Sequence, residues 1–212
     1  MTRAQVTPRR AATRQRLLTA AAGLFAERGM HGATVEDICE AAGFTRGAFY
    51  SNFADKEQLF SALLRQKEEE LLTQITAVLE TPDPPDVLAT AEPRDIIEQL
   101  VEKVLATQPM DREAHLVHAE LALYGIRTPA AAEELTREGG RFRGELARLL
   151  EAGLARAGRR LTVDPQDAVA IMIGIFEQGM EQMLLRQSGS QPDPGLARRT
   201  LPLVIRALSE PV

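Results

Sequence analysis

Residues 34–53 read TVEDICEAAGFTRGAFYSNF, and this stretch decides the fold. Thr34 followed by Glu36 and Asp37 has the shape of a capping box, with Asp37 where Glu or Gln is more usual. A short helix therefore begins at residue 35 and ends near Ala42, because Gly43 follows and takes positive φ without penalty. Thr45 caps a second short helix, expected over Arg46 to Asn52. Ile38, Ala42, Phe44 and Phe49 are spaced to meet in a small core between the two. One helix braces and the next is offered outward, which is the helix-turn-helix layout.

The flanks extend the pattern. Leu17, Ala21, Leu24 and Phe25 form the stripe of an amphipathic helix over about 13–28, stopped by Gly29. Asp55 caps a long helix from Lys56 to about Glu80, with Phe60, Leu63, Leu64, Leu71, Ile75 and Val78 at helical spacing. Pro82, Pro84, Pro85 and Pro93 then mark a linker or loop over 81–93. Further helices are expected at about 94–107, 111–124, 129–157, 165–187 and 195–209, with Pro202 kinking or dividing the last. The fold class is all-α with about nine helices. The expected domains are 1–55, with a basic arm over 1–12, and 56–212.

Composition agrees. The 212 residues are 44% hydrophobic, 26% charged and only 4% aromatic, rich in Ala, Leu, Glu and Arg. A single cysteine, Cys39, excludes a disulfide framework. The longest apolar run, Ala168 to Phe176, is far short of the roughly 18 residues of a membrane span. The net charge is −5, split as +3 over residues 1–52 and −8 over the rest. A basic amino end on an acidic body points to a polyanion at that end only; the competing reading is a solvated tail. Arg9 and Arg10 ahead of the apolar stretch from Leu17 have the outline of a twin-arginine export signal. Arg14, Arg16, Thr19 and Gly23 interrupt it, and it runs straight into Glu27 and Arg28, so a cytoplasmic protein is expected.

The stretch LFAERGMHGATVEDICEAAGFTRGAFYSNFADKEQLF, residues 24–60, resembles the tetracycline-repressor (TetR) family of bacterial transcriptional regulators. Helix, Gly, Thr cap, Ala-Gly turn, Gly-x-x-Tyr, Phe and Asp-Lys-Glu fall in the family's order. Cys39 and Phe44 depart from the small Ala and the Val usual there. The resemblance of GFTRGAFYSNFADK is to efflux repressors in particular. It implies a homodimer on double-stranded palindromic DNA, released by a small hydrophobic effector bound in the carboxy-terminal body. An alternative is a constitutive or architectural DNA-binding protein without a ligand. No Gly-x-Ser-x-Gly, phosphate loop, dinucleotide fingerprint or Cys/His nucleophile pair suggests an enzyme, and no cofactor is expected.

Candidate DNA contacts follow. Arg46 can read a guanine edge, the plainer reading being a phosphate contact or solvation. Gly47 admits close backbone approach, Ala48 can touch a thymine methyl, and Ser51 can bond base or phosphate. Thr45 can cap and reach phosphate at once, Thr34 can hold a phosphate, and Asn52 is a further candidate. Lys56 opens a helix whose dipole favours phosphate. Tyr50 is expected on the exposed side, with phosphate contact implied by the resemblance. The amino-terminal arginines can add backbone or minor-groove contacts. Cys39 is expected as a buried small hydrophobe.

In the body, His115 and His118 lie three apart on one helical face. They can begin a metal site, line a ligand cavity or face solvent, and no metal is expected. Ala168 to Phe176 is apolar on every side and is expected to be buried on every side, one face against a second copy with the final helix and the other as core or cavity. Met172, Phe176 and Met180 suit a cavity wall, where Glu177 needs a polar partner, the competing reading being plain core.

Overall fold

The computed structural model describes residues 8–81, 93–108, 112–185 and 195–212. Its elements, in chain order, are α1 (Pro8–Gly32), α2 (Val35–Ala42), α3 (Arg46–Tyr50), α4 (Lys56–Glu80), α5 (Pro93–Thr107), α6 (Arg112–Arg127), α7 (Pro129–Arg156), β1 (Arg159–Leu161), α8 (Pro165–Leu185), α9 (Gly195–Ala207) and β2 (Ser209–Pro211). The expected all-α class holds. The Pro-rich loop is outside the described residues over 82–92.

The chain packs as two compact units. One takes the residues up to Lys67 together with the segment ending at Ala131 that contains α6; the other takes Glu68 onward through α5, and Ala132–Val212. Helix α4 thus belongs to both. The sequence places its functional boundary at 55/56, whereas packing groups α6 with α1–α3.

In the first unit α1 presents Leu17, Leu18, Ala21, Ala22 and Phe25, all buried. They meet Ile38, Cys39 and Ala42 of α2, Phe49 of α3, Phe53, and Leu59, Phe60 and Leu63 of α4 in one core, with Val117, Leu121 and Tyr124 of α6 against it. Phe25 and Phe60 meet edge to face at 5.1 Å, and Phe60 meets Tyr124 the same way at 6.1 Å. Helix α1 starts five residues earlier than its apolar stripe suggests. Pro8 suits a first helical turn, so residues 8–12, expected in an arm, are helical. Gly29, at φ 73° and ψ 170°, breaks the helix, and Glu120 of α6 accepts the Met30 N–H just beyond at 2.9 Å.

The second unit centres on Ile97, Val101 and Leu105 of α5, Leu154 and Ala157, and Ala197, Leu201 and Ile205 of α9. One expectation is corrected here. The last helix ends at Ala207 rather than 209, and residues 209–211 pair antiparallel with 159–161, Arg160 opposite Glu210. The Arg159 guanidinium donates to Ser209 Oγ at 2.9 Å and to the Arg206 carbonyl at 3.2 Å, which ties the ribbon to the helix end. Strands of three residues carry no period to read. Pro202 sits buried inside an undivided α9. In the single chain one side of α8 is open: Ala170, Ile171 and Gly174 face outward, Ile171 at 47% exposure. By length and composition α8 is apolar enough to cross a membrane, a description that the core helix of a soluble protein meets equally.

Candidate nucleic-acid interface

The turn that sets α3 against α2 is specified locally. Thr34 Oγ1 accepts from the Asp37 N–H at 3.1 Å while the Asp37 carboxylate accepts the Thr34 N–H at 2.9 Å, completing the capping box. The Thr34 hydroxyl, which donates to the Asp37 carboxylate at 2.6 Å, and after it the Thr34 N–H hold that carboxyl below its ordinary range. Gly43 takes φ 70°, ψ 38°, and its N–H closes α2 on the Glu40 carbonyl at 3.0 Å. Thr45 Oγ1 then accepts from the Ala48 N–H at 3.2 Å and starts α3. Phe49 is fully buried, touching Phe53 at 5.8 Å and Tyr50 at 5.3 Å between ring centres. The opposite side of α3 is left to solvent.

That side carries Arg46, Gly47 and Tyr50. The Arg46 guanidinium is 2.8 Å from the Glu36 carboxylate of α2, both side chains more than half exposed. It also lies 5.9 Å from the centre of the Tyr50 ring. A hydrogen bond with Tyr50, and after it the Glu36 charge, raise the Arg46 pKa above its ordinary value. Tyr50 is 49% exposed, as expected. Gly47 is not required by the fold: a Cβ there would meet only Thr45 Oγ1, at an ordinary 3.8 Å. Glycine in a helix costs up to about 1 kcal/mol relative to alanine. Gly47→Ala should therefore raise stability by about 0.5–1 kcal/mol in urea titration while weakening DNA binding; tighter or unchanged DNA binding would show that nothing approaches this backbone.

The other expected contacts divide. Thr45 keeps its hydroxyl proton for an outside acceptor, since its oxygen is what caps α3. Ala48 is partly exposed. The hydroxyl of Thr34 donates to Asp37 at 2.6 Å, so in this arrangement it serves the cap. Ser51 Oγ and Asn52 Nδ2 both donate to the Ala48 carbonyl at 2.8 Å, closing the end of α3. These two bonds, with the tight Asn52 N–H to Phe49 carbonyl contact at 2.8 Å, explain why α3 ends at Tyr50 instead of Asn52. Lys56 is turned inward, its ammonium donating to the Met30 carbonyl at 2.6 Å and the Ala33 carbonyl at 2.7 Å. It braces the turn between α1 and α2.

The amino-terminal arginines are engaged as well. Arg10 donates to the Ser51 carbonyl at 2.9 Å, Arg14 to the Asn52 carbonyl at 3.1 Å and Arg16 to the Ala42 carbonyl at 2.7 Å. Arg14 lies over the Phe53 ring at 4.2 Å and Arg16 over Phe44 at 4.6 Å. Three cations of α1 thus hold the carboxyl ends of α2 and α3, where helix dipoles favour positive charge. Sequence reading reaches neither this role nor that of Glu36. Both depend on pairs ten to 41 positions apart that only the fold brings together. Cys39 is buried, as expected, and burial pushes its thiol pKa up.

The candidate effector residues do not share one unit. His115, half-buried, and His118, exposed, are on α6 of the first. Met172, Phe176 and Glu177, half-buried, and Met180, buried, are on α8 of the second. Met172 and Phe176 pack against the core of α5, α7 and α9. A groove of about 440 Å³ lies beside Glu151, Ala155, Arg159 and Val212 and is lined by none of the six. Among the described residues no cluster of three or more His, Cys, Asp or Glu is disposed to hold a metal.

The sequence profile described as "Bacterial regulatory proteins, tetR family" matches residues 17–63. The chain is 33% identical over 137 residues to the HTH-type transcriptional repressor AcnR of Corynebacterium diphtheriae, a match covering 63% of this chain and 70% of that protein. Against AcnR of Corynebacterium glutamicum it is 32% identical over 124 residues, covering 54% of this chain and 62% of that repressor, under two thirds of its length. A Saccharomonospora viridis protein solved in complex with choline shares the fold, with a TM-score of 0.64 at 19% identity, over 94% of this chain and 99% of that one.

Proposed function

Since this chain belongs to the tetR family of bacterial regulatory proteins, we propose that it is a cytoplasmic transcriptional repressor rather than an enzyme. It binds a palindromic operator as a homodimer and lets go when a small hydrophobic effector binds. The observation that carries the reading is the outward face of α3, where Arg46, Gly47 and Tyr50 stand clear of the core on a capped helix-turn-helix. In this reading α3 enters the major groove with Arg46 on a base edge, and Tyr50 and Thr45 contact phosphate. Ala48 and Ser51 flank that contact, Asn52 and Thr34 hold the helix ends, and Lys56 braces the turn below. A second copy meets the outward face of α8 and the neighbouring α9, where Ile171 is 47% and Leu203 59% exposed; two heads then meet two half-sites. An effector acts by binding the DNA-free state better, a coupling of about 1–3 kcal/mol in typical cases.

A constitutive repressor is the second reading, and the packing of Met172 and Phe176 into core favours it. Operator binding that no small molecule weakens, with no small molecule bound by the free protein, would select it. The test of the main reading is Arg46→Ala. Preference for the cognate base pair should fall by about 1–3 kcal/mol, roughly 5- to 160-fold in relative affinity across single-base operator variants. An unchanged preference among the variants would remove Arg46 as the base reader.

A further inference from the structure

Glu36 is one of two acids in the first turn of α2, where a negative charge suits the helix dipole. The capping box is closed by Asp37, and Glu36 is an exposed acid at the surface that the proposed function turns toward a polyanion. Among the described residues its ion pair reaches across to the next helix, 2.8 Å from Arg46 Nη1. The guanidinium is a planar fork with five N–H groups, so a partner on one edge fixes where the others point. Glu36 lies on one side of the Arg46 fork and the Tyr50 ring 5.9 Å from it on another, so both flank the orientation the guanidinium takes here.

We propose that Glu36 is a specificity-determining residue of the interface, acting by positioning Arg46. The proposal rests on the reading of Arg46 as a base contact. An exposed ion pair in water contributes little. When water is displaced against DNA, a carboxylate among phosphates must keep a cation or find a base amino donor. If Arg46 reaches a guanine from its present orientation, Glu36 keeps its partner. If the base is wrong and Arg46 swings to a phosphate, Glu36 is left unpaired beside negative charge. Glu36 therefore lowers affinity for all DNA and lowers it most for the wrong sequence, a trade of affinity for discrimination.

The test uses the full chain, its Glu36→Gln and Arg46→Ala variants and the double variant. Each is titrated across salt on a duplex selected by the wild-type protein from a random library, on its single-base variants and on an unrelated duplex. Glu36→Gln keeps the shape and loses only a first-turn charge, so its melting temperature should stay within a few degrees of wild type. It should bind the unrelated duplex about threefold more tightly at low salt and discriminate about tenfold less at the base pair that Arg46 reads. In the Arg46→Ala background the same change should move discrimination by less than about twofold. Undiminished discrimination in Glu36→Gln, or an equal loss in both backgrounds, overturns the proposal. If Arg46→Ala itself leaves every base preference intact, the reading of Arg46 falls first and takes the proposal with it.

Discussion

Phe49→Ala should lower the stability of the protein by about 3–5 kcal/mol and remove specific DNA binding with it. The ring is fully buried and meets Phe53 and Tyr50 at 5.8 and 5.3 Å. Alanine leaves a cavity where α1, α2 and α4 converge, and a close-packed core relaxes into such a space only in part. A helix of five residues has no stability of its own, so α3 stays formed only while Phe49 anchors it. The loss is a large share of the roughly 5–15 kcal/mol that keeps a domain folded. Urea denaturation reads it directly. Tyr50→Ala, on the exposed side of the same helix, should change stability by about 0.5 kcal/mol or less yet weaken binding. A Phe49→Ala cost below about 1 kcal/mol would mean that the head is not built around this ring.

Lys56→Met should cost about 2–3 kcal/mol. The side chain is half-buried and its ammonium supplies two charged hydrogen bonds, at 2.6 and 2.7 Å, to carbonyls on either side of the turn that leads into α2. Hydrogen bonds to charged groups contribute about 1.5–3 kcal/mol each, and partial exposure reduces the sum. Methionine keeps the apolar stem and leaves both carbonyls without that donor. The competing role, a phosphate contact, has a different signature. Stability would stay within about 0.5 kcal/mol, affinity would fall alike on all sequences, and the salt slope would drop by about one. Measuring the urea midpoint and the salt dependence of the same variant separates the two.

What the sequence makes legible here is local. Thr34 with Asp37, Gly43 and Thr45 announce the ends of α2 and α3, because caps and left-handed turns are written in adjacent residues. Phe49 and Ile38 are recognisable as core from their spacing. Tyr50 is recognisable as exposed because its neighbour already fills the inner slot. The remainder depends on separation. Arg10, Arg14 and Arg16 read as a basic stretch suited to DNA, whereas each reaches a carbonyl 26 to 41 positions away. Lys56 reads as a phosphate ligand at a helix start, and only the position of Met30 and Ala33 shows what its ammonium holds. Glu36 reads only as an acid at a helix start, and its pairing with Arg46 has no local mark. In the second unit, the apolar length of α8 gives composition but not which side faces out, and a ribbon of three-residue strands leaves no pattern.

The central claim is that the exposed face of α3 reads DNA as one of a symmetric pair. Selection from a library of randomised duplexes by the full-length protein, in excess nonspecific competitor and at physiological salt, tests it most directly. An inverted repeat should emerge enriched, bound saturably, with affinity that falls steeply as salt rises. A library that emerges unenriched, or enriched only in an unpaired, asymmetric site, would contradict it.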